Sequence, residues 1–151
     1  MLVNVNLTVT AAAYSLGHAV GTKFVLPGFT GNLGGWAIVD GMVIDKAGNV
    51  ASYDLALFDG DLSSTTVTDR SAFVVNDADR SKSLGHLPIG QPCSLGAPSG
   101  GHGGGVISTG SIYKRLELSA LPYGVLIARG TPTFTSAGDV QLKLIVEKVW
   151  A

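Results

Sequence analysis

Residues 3–9, VNVNLTV, set Val3, Val5, Leu7 and Val9 on one side of an extended chain and Asn4, Asn6 and Thr8 on the other. A period of two fits a half-buried strand and no helix. The beat returns near the other end, where Val140, Leu142, Leu144 and Val146 alternate with Gln141, Lys143, Ile145 and Glu147. Ile145 is the apolar exception on that polar side. Between them run HAVGTKFVLPG (18–28), GGWAIVDGMVID (34–45), VASYDLALFD (50–59), SIYKRLELSA (111–120) and YGVLIARG (123–130), each bounded by residues that favour turns. Seven or eight short strands with so little helical patterning predict an all-β, single-domain β-sandwich, jelly-roll-like, spanning 1–151.

Local signals refine that expectation. Gly41 inside a strand pattern points to a bulge or a bend. KAGN (46–49) reads as a hairpin turn into the next strand. NDADRSKSLG (76–85) is the one helix expected, with Asn76 or Asp77 capping its start and Gly85 ending it. The stretch 88–110, centred on APSGGHGGG, is rich in Gly, Pro and Ser and reads as a flexible loop or arm that orders against a partner.

Composition narrows the class of partner. Only 14% of residues are charged, against about 25% in an ordinary domain. The formal net charge is -1, which supplies no field for nucleic acid or for an anionic membrane. Cys93 is the single cysteine, so no intrachain disulfide forms and stability has to come from burial, as suits assembly in a reducing cytoplasm. The opening residues lack the basic start and continuous apolar run of a secretory signal, and no stretch reaches about 18 apolar residues. The expectation is a soluble protein made inside the cell. A mean hydropathy of +0.35 without a membrane span implies that part of the surface is covered by a partner.

No catalytic set emerges. Asp59, Asp61, Asp69, Asp77 and Asp79 crowd into one stretch, but a calcium loop counted from Asp59 would need Gly at the sixth place and Glu at the twelfth, where Ser64 and Arg70 stand. Turn and cap duty explains these carboxylates, with Asp59 and Asp61 as the pair able to share a cation with loop carbonyls. His18, His86 and His102 are far apart and match no zinc motif. GAPSGG (96–101) has its serine one place too late for a nucleophile elbow, and Cys93 has no activating base nearby. The expectation is no enzyme, no cofactor and no metal. The interface candidates are Trp150, close to the chain end; Trp36, which in a strand also suits the core; Arg129, which also suits pairing with a neighbouring loop carboxylate; and His102, within the glycine run.

The order of YSLGHAVG (14–21), DLALFDGDLSSTTVTDRSAFVVNDAD (54–79) and above all YGVLIARGTPTFTSAGDVQLKL (123–144) resembles the capsid decoration, or cement, proteins of tailed bacteriophages. Its most specific part is Ala128-Arg129-Gly130-Thr131-Pro132-Thr133 followed by the alternating last strand. The resemblance implies a jelly-roll-like virion protein on the outer capsid surface that bridges major capsid protein subunits as a dimer or trimer and catalyses nothing. The alternative is a virion surface or tail module that binds host glycans through exposed rings at Tyr113, Tyr123 or Trp36.

Overall fold

The structure, a computed structural model, describes residues 1–29, 34–98, 103–110 and 113–150, Trp150 in its backbone alone. Ten strands follow in order: β1 (Leu2–Leu7), β2 (Ala19–Val25), β3 (Gly34–Asp45), β4 (Tyr53–Asp59), β5 (Ser83–Ile89), β6 (Gln91–Ser94), β7 (Val106–Gly110), β8 (Lys114–Leu118), β9 (Pro122–Ala128) and β10 (Val140–Trp150). They form two antiparallel sheets. The larger runs β1-β10-β3-β7-β6, with β8 beside the first half of β3, and the smaller runs β2-β9-β4-β5. With the short β6 and β8 set aside, β1-β10-β3-β7 faces β2-β9-β4-β5, and the chain passes from sheet to sheet at almost every connection. This is the wrapping of a jelly roll, so the all-β sandwich expected from the alternation is what forms.

The alternating residues meet in the middle. Val3, Leu7, Val43, Leu142, Leu144 and Val146 from the larger sheet pack on Tyr53, Leu55, Leu57, Leu87, Ile89 and Leu126 from the smaller one. Each such side chain removed from water contributes about 1.5–3 kcal/mol before the entropy of ordering it is counted. A second, smaller core lies on the outside of the smaller sheet. There Ala19, Phe58, Leu62 and Val125 are buried, with Val67, Phe73, Val75 and Tyr123 packed around them, so residues 60–76 roof this face. Their backbone is tied down by Ala19 N to Ser71 O at 2.9 Å, Arg70 N to Ala19 O at 2.9 Å and Phe73 N to Gly17 O at 3.1 Å.

Four local expectations are corrected. KAGN makes no hairpin, because β3 and β4 belong to different sheets and 46–52 crosses between them. Its start is held by buried Asp45, which accepts hydrogen bonds from Ala47 N and Asn49 Nδ2, both at 2.8 Å. The helix is a 3-10 helix, Asp77–Lys82, capped by the Asn76 side chain on Ala78 N, and it ends at Ser83. Gly85 lies inside β5 with φ 98°, at the bulge where Leu57 pairs Gly85 and Phe58 pairs Ser83. The bulge expected at Gly41 falls two residues earlier, where Ile145 pairs Asp40 and Val146 pairs Ile38, leaving Val39 as the extra residue. The 88–110 segment contains the end of β5 and all of β6 and β7, whose pairing runs from Gln91 with Thr109 to Ser94 with Val106. A run without apolar alternation becomes a strand here because its neighbour supplies the hydrogen bonds.

Candidate interaction surface

The clustered aspartates are five separate anchors. Asp59 accepts from Ser119 N at 3.0 Å, Ala120 N at 2.8 Å and Ser119 Oγ at 2.5 Å, holding the β8–β9 turn to the end of β4. Asp61 pairs with Lys23 at 2.7 Å. Asp69 accepts from Thr10 Oγ1, Tyr14 Oη and Gly21 N at 2.6–2.7 Å. Asp77 meets Arg80 at the surface. Asp79 is buried and accepts from Ser64 N, Thr65 Oγ1 and Lys82 Nζ at 2.7–2.9 Å. The bond from Lys82 is the main reason its carboxyl is held below the usual range. Asp59 and Asp61 therefore spend their oxygens on protein donors, and no group of three metal-ligating side chains occurs among the described residues. Buried Asp45 shows the opposite balance, since desolvation raises its pKa above the usual value against the bonds from Asn49 and Ala47. Every buried side-chain polar atom among the described residues has a hydrogen-bond partner, so these carboxylates serve to order loops.

An open cleft of about 720 Å³ lies between Pro98, Gly103 and Gly104 on one side and the turn before β10 on the other, lined also by Ile44, Lys46, Thr135, Ser136 and Asp139. Asp139 Oδ2 is taken by Thr135 N, Thr135 Oγ1 and Ser136 N at 2.8–3.0 Å, bonds that shape its own turn. The titratable groups among its described lining residues are Lys46 and Asp139, and the Oδ2 of Asp139 is committed to its own turn.

The outer face of the larger sheet is different in kind. Val3, Val43, Leu142, Leu144 and Val106 point into the core, so the residues between them point away from it. The register sets these in rows across the strands: Asn6, Gln141, Ile44, Ile107, Cys93; then Asn4, Lys143, Met42, Thr109, Gln91; then Leu2, Ile145, Asp40. Only Lys143 and Asp40 are charged in these rows. Leu2 and Ile145 are 57% and 48% exposed as a cross-strand pair, with the bulged Val39, 38% exposed, beside them. The smaller sheet has its outer face roofed by the chain itself, whereas on this one Pro98, Gly103, Gly104 and the 135–139 turn only wall an open cleft at Ile44. Alternation at 40, 42 and 44 in β3 carried the signal for it, but a sequence does not tell which strands will be neighbours.

The four interface candidates part company. Trp36 is 6% exposed and packs edge-on against Phe29 with ring centroids 4.8 Å apart, so in the isolated chain it is core. Trp150 ends β10, its backbone paired with Gly35, and its side chain lies outside the described residues. His102 also lies outside them. Arg129 follows β9 and its Nε bonds Asp54 Oδ2; the arginine side chain is 53% exposed and the carboxylate 9%. Its partner is thus a buried strand residue, where a loop carboxylate was expected. Replacing Arg129 by alanine strands that carboxylate, and the expected loss of stability is about 1–2 kcal/mol, less than for a fully buried pair because water reaches the guanidinium. A double-mutant cycle with Asp54→Ala in urea unfolding checks it: additive losses would show that the pair contributes nothing. Nor do Tyr113, Tyr123 and Trp36 form one platform, since Trp36 is inside the sandwich and Tyr123 packs against the outer core of the smaller sheet.

Compared with family models, with curated proteins and with solved structures, the chain matches none.

Proposed function

We propose that the protein is a non-enzymatic structural component of a tailed-phage virion, assembled in the bacterial cytoplasm, that decorates and cements the outer capsid surface by gripping major capsid protein subunits. The observation that carries this reading is the outer face of the larger sheet from β1 to β6, half apolar and with Lys143 and Asp40 as the charges in its three rows, opposite a face that the chain seals with its own residues 60–76; past the bulge the outer face turns charged, with Glu147, Arg115 and Glu117. A one-sided molecule of this kind suits a flat protein partner, because burying few charges keeps the desolvation cost of docking low. Rigidity supports the same reading. Among the described residues the 60–76 roof and the β8–β9 turn are tied by carboxylate anchors, so little order remains to be imposed on them by binding, and modest contacts repeated over a symmetric shell add up. For the glycan-binding alternative, Tyr113 is the one of its three rings that stands largely exposed, with Trp36 in the core and Tyr123 packed against the smaller sheet's outer core.

The test is add-back to purified capsids that lack the protein. Wild-type protein is expected to bind at saturable stoichiometry and to raise the temperature at which the shells leak. Ile107→Asp, a charge in the row of the open face that holds Ile44 and Cys93, is expected to leave the fold intact and to weaken binding at least about tenfold, since an unpaired charge would be buried. Capsids that bind none of the protein, or whose heat resistance is unchanged with it bound, would overturn the proposal.

A further inference from the structure

Among the described residues the two sheets end in five edge strands, β1, β6 and β8 in the larger and β2 and β5 in the smaller. An edge carries unpaired N–H and C=O groups, and proteins that stay apart blunt such edges with prolines, charges, bulges or cover. Four of the five are blunted. β6 has four residues, one of them Pro92. β8 carries Lys114, Arg115 and Glu117 within five residues. β5 is interrupted by the bulge at Gly85 and by Pro88. β2 has a register shift between Val20 and Phe24, and its edge is covered in part by Ser71 O on Ala19 N and by Asp69 Oδ1 on Gly21 N. β1 has no such device. Its sequence LVNVNL holds no charge, proline or glycine, and its pairing with β10 is unbroken from Leu2–Ile145 to Leu7–Val140.

The hydrogen bonds say which groups on β1 are unused. Met1 and Val146 exchange both of their backbone bonds, Met1 N to Val146 O at 2.6 Å and Val146 N to Met1 O at 2.9 Å. In an antiparallel ladder such pairs alternate, so Val3, Val5 and Leu7 also bond to β10, while Leu2, Asn4 and Asn6 turn their N–H and C=O away from it. All three of the latter residues are exposed, and no described residue pairs with that side of the strand.

The geometry points to a second copy of this chain as the occupant, joined β1 to β1 in antiparallel fashion about a two-fold axis at Asn4. Side-chain parity leaves little choice. Continuity of the two cores requires Val3, Val5 and Leu7 to stay on the inner side in both copies, which restricts pairing to odd with odd and even with even. An axis at Asn4 pairs Leu2 with Asn6 of the second copy, Asn4 with its own equivalent and Asn6 with Leu2 of the second copy, and each pair exchanges two backbone bonds. An axis at Val5 would leave Leu2 unpaired. The chosen register also sets Val3 against Val5 of the second copy at the close, non-hydrogen-bonded spacing, covering Val5, which is only half-buried in the single chain. Because β1 is uncharged, the two strands do not repel. An isologous contact of this kind closes at two copies and leaves no edge of the same type open. It involves no capsid, so it stands or falls apart from the cement reading.

The experiment is the mass of the full chain in solution at micromolar concentration, with Cys93→Ser as background for the cysteine variants. The expected result is a dimer. Asn4→Pro removes a donor that faces the free edge and leaves the β10 ladder intact, and Asn4→Glu sets two like charges against each other. Each acts twice by symmetry, and each is expected to raise the dimer dissociation constant at least about tenfold. Asn4→Cys is expected to oxidise to a covalent dimer, since paired residues of this class sit about 5.5 Å apart at Cα, within disulfide reach. Asn6→Cys, which faces Leu2 of the second copy, is expected not to. A monomeric wild type, a dimer indifferent to Asn4→Glu, or cross-linking at Asn6 as efficient as at Asn4 would overturn the proposal.

Discussion

Replacing Gly110 by alanine is expected to cost the fold at least about 3 kcal/mol, the upper end of what overpacking a core does. Gly110 on β7 pairs with Gly41 on β3, and the two form a trough in the larger sheet into which β5 of the opposite sheet settles. A Cβ at Gly110 would stand 2.2 Å from Pro88 O and 3.2 Å from Ile89 Cα. Those are main-chain atoms, and no rotamer change moves them. The added methyl group must instead push the sheets apart and loosen Leu87, Ile89 and Leu144 together. Gly41 is the informative control. A Cβ there meets Leu87 Cδ2 at 2.7 Å and Leu144 Cδ2 at 3.3 Å, the ends of side chains that can turn. Gly41→Ala is therefore expected to cost only about 1 kcal/mol. Urea unfolding with an unchanged slope measures both, and equal midpoints for the two variants would refute the account.

Asp69→Ala is expected to cost about 3 kcal/mol, and to cost it locally. The carboxylate joins three stretches that are distant in sequence, through Thr10 Oγ1 and Tyr14 Oη before β2, Gly21 N within β2, and its own place in the 60–76 roof. Bonds to a charged acceptor contribute about 1.5–3 kcal/mol each when sheltered. Partial exposure of Asp69 brings the three together down to that figure. Tyr14 is held as a neutral donor at any ordinary pH, since burial, and after it the bond to Asp69, push its pKa up to about 12. Without the carboxylate, its hydroxyl and the Gly21 amide lose their acceptor. The roof then lifts from Phe58 and Val125 before the sandwich itself opens. Hydrogen exchange at the Gly21 and Arg70 amides should accelerate far more than in the β10–β3 ladder, and a dye that binds apolar surface should report the uncovered face. Asp69→Asn keeps an acceptor and should be milder; uniform acceleration over both sheets would show that the anchor is not local.

The strands with the cleanest alternation were legible from sequence, because a half-buried strand must alternate whatever its neighbours are. β1 and β10 declare themselves, and the structure pairs them with each other. The aspartates read from sequence as turn and cap residues, whereas Asp59, Asp61, Asp69 and Asp79 anchor segments distant in the chain and the helix cap is Asn76. What failed was everything that depends on a partner distant in sequence. KAGN carries the same turn residues whether the next strand returns beside β3 or crosses to the other sheet. QPCS has no pattern of its own and is a strand because β7 lies beside it. Gly85 looks like a helix stop and is a bulge opposite Leu57. Arg129 was readable as a residue that pairs, but its partner Asp54 stands in β4, 75 residues away in the chain. The open face escaped for the same reason, since Ile44, Ile107 and Cys93 become one row only when three strands align.

The order β1-β10-β3 places the last of the ten strands between two of the first three. During synthesis, β1 and β3 therefore leave the ribosome well before the strand that separates them, and a slot in the larger sheet stays vacant until β10 emerges. Valines and leucines meant for the core stay within reach of other nascent chains throughout that interval. Closure of the sheet then depends on contacts far apart in the chain, which makes it slow. A cell producing the protein in quantity has to shield this half-built sandwich until translation reaches β10, so yield should track chaperone supply more closely than the stability of the finished fold.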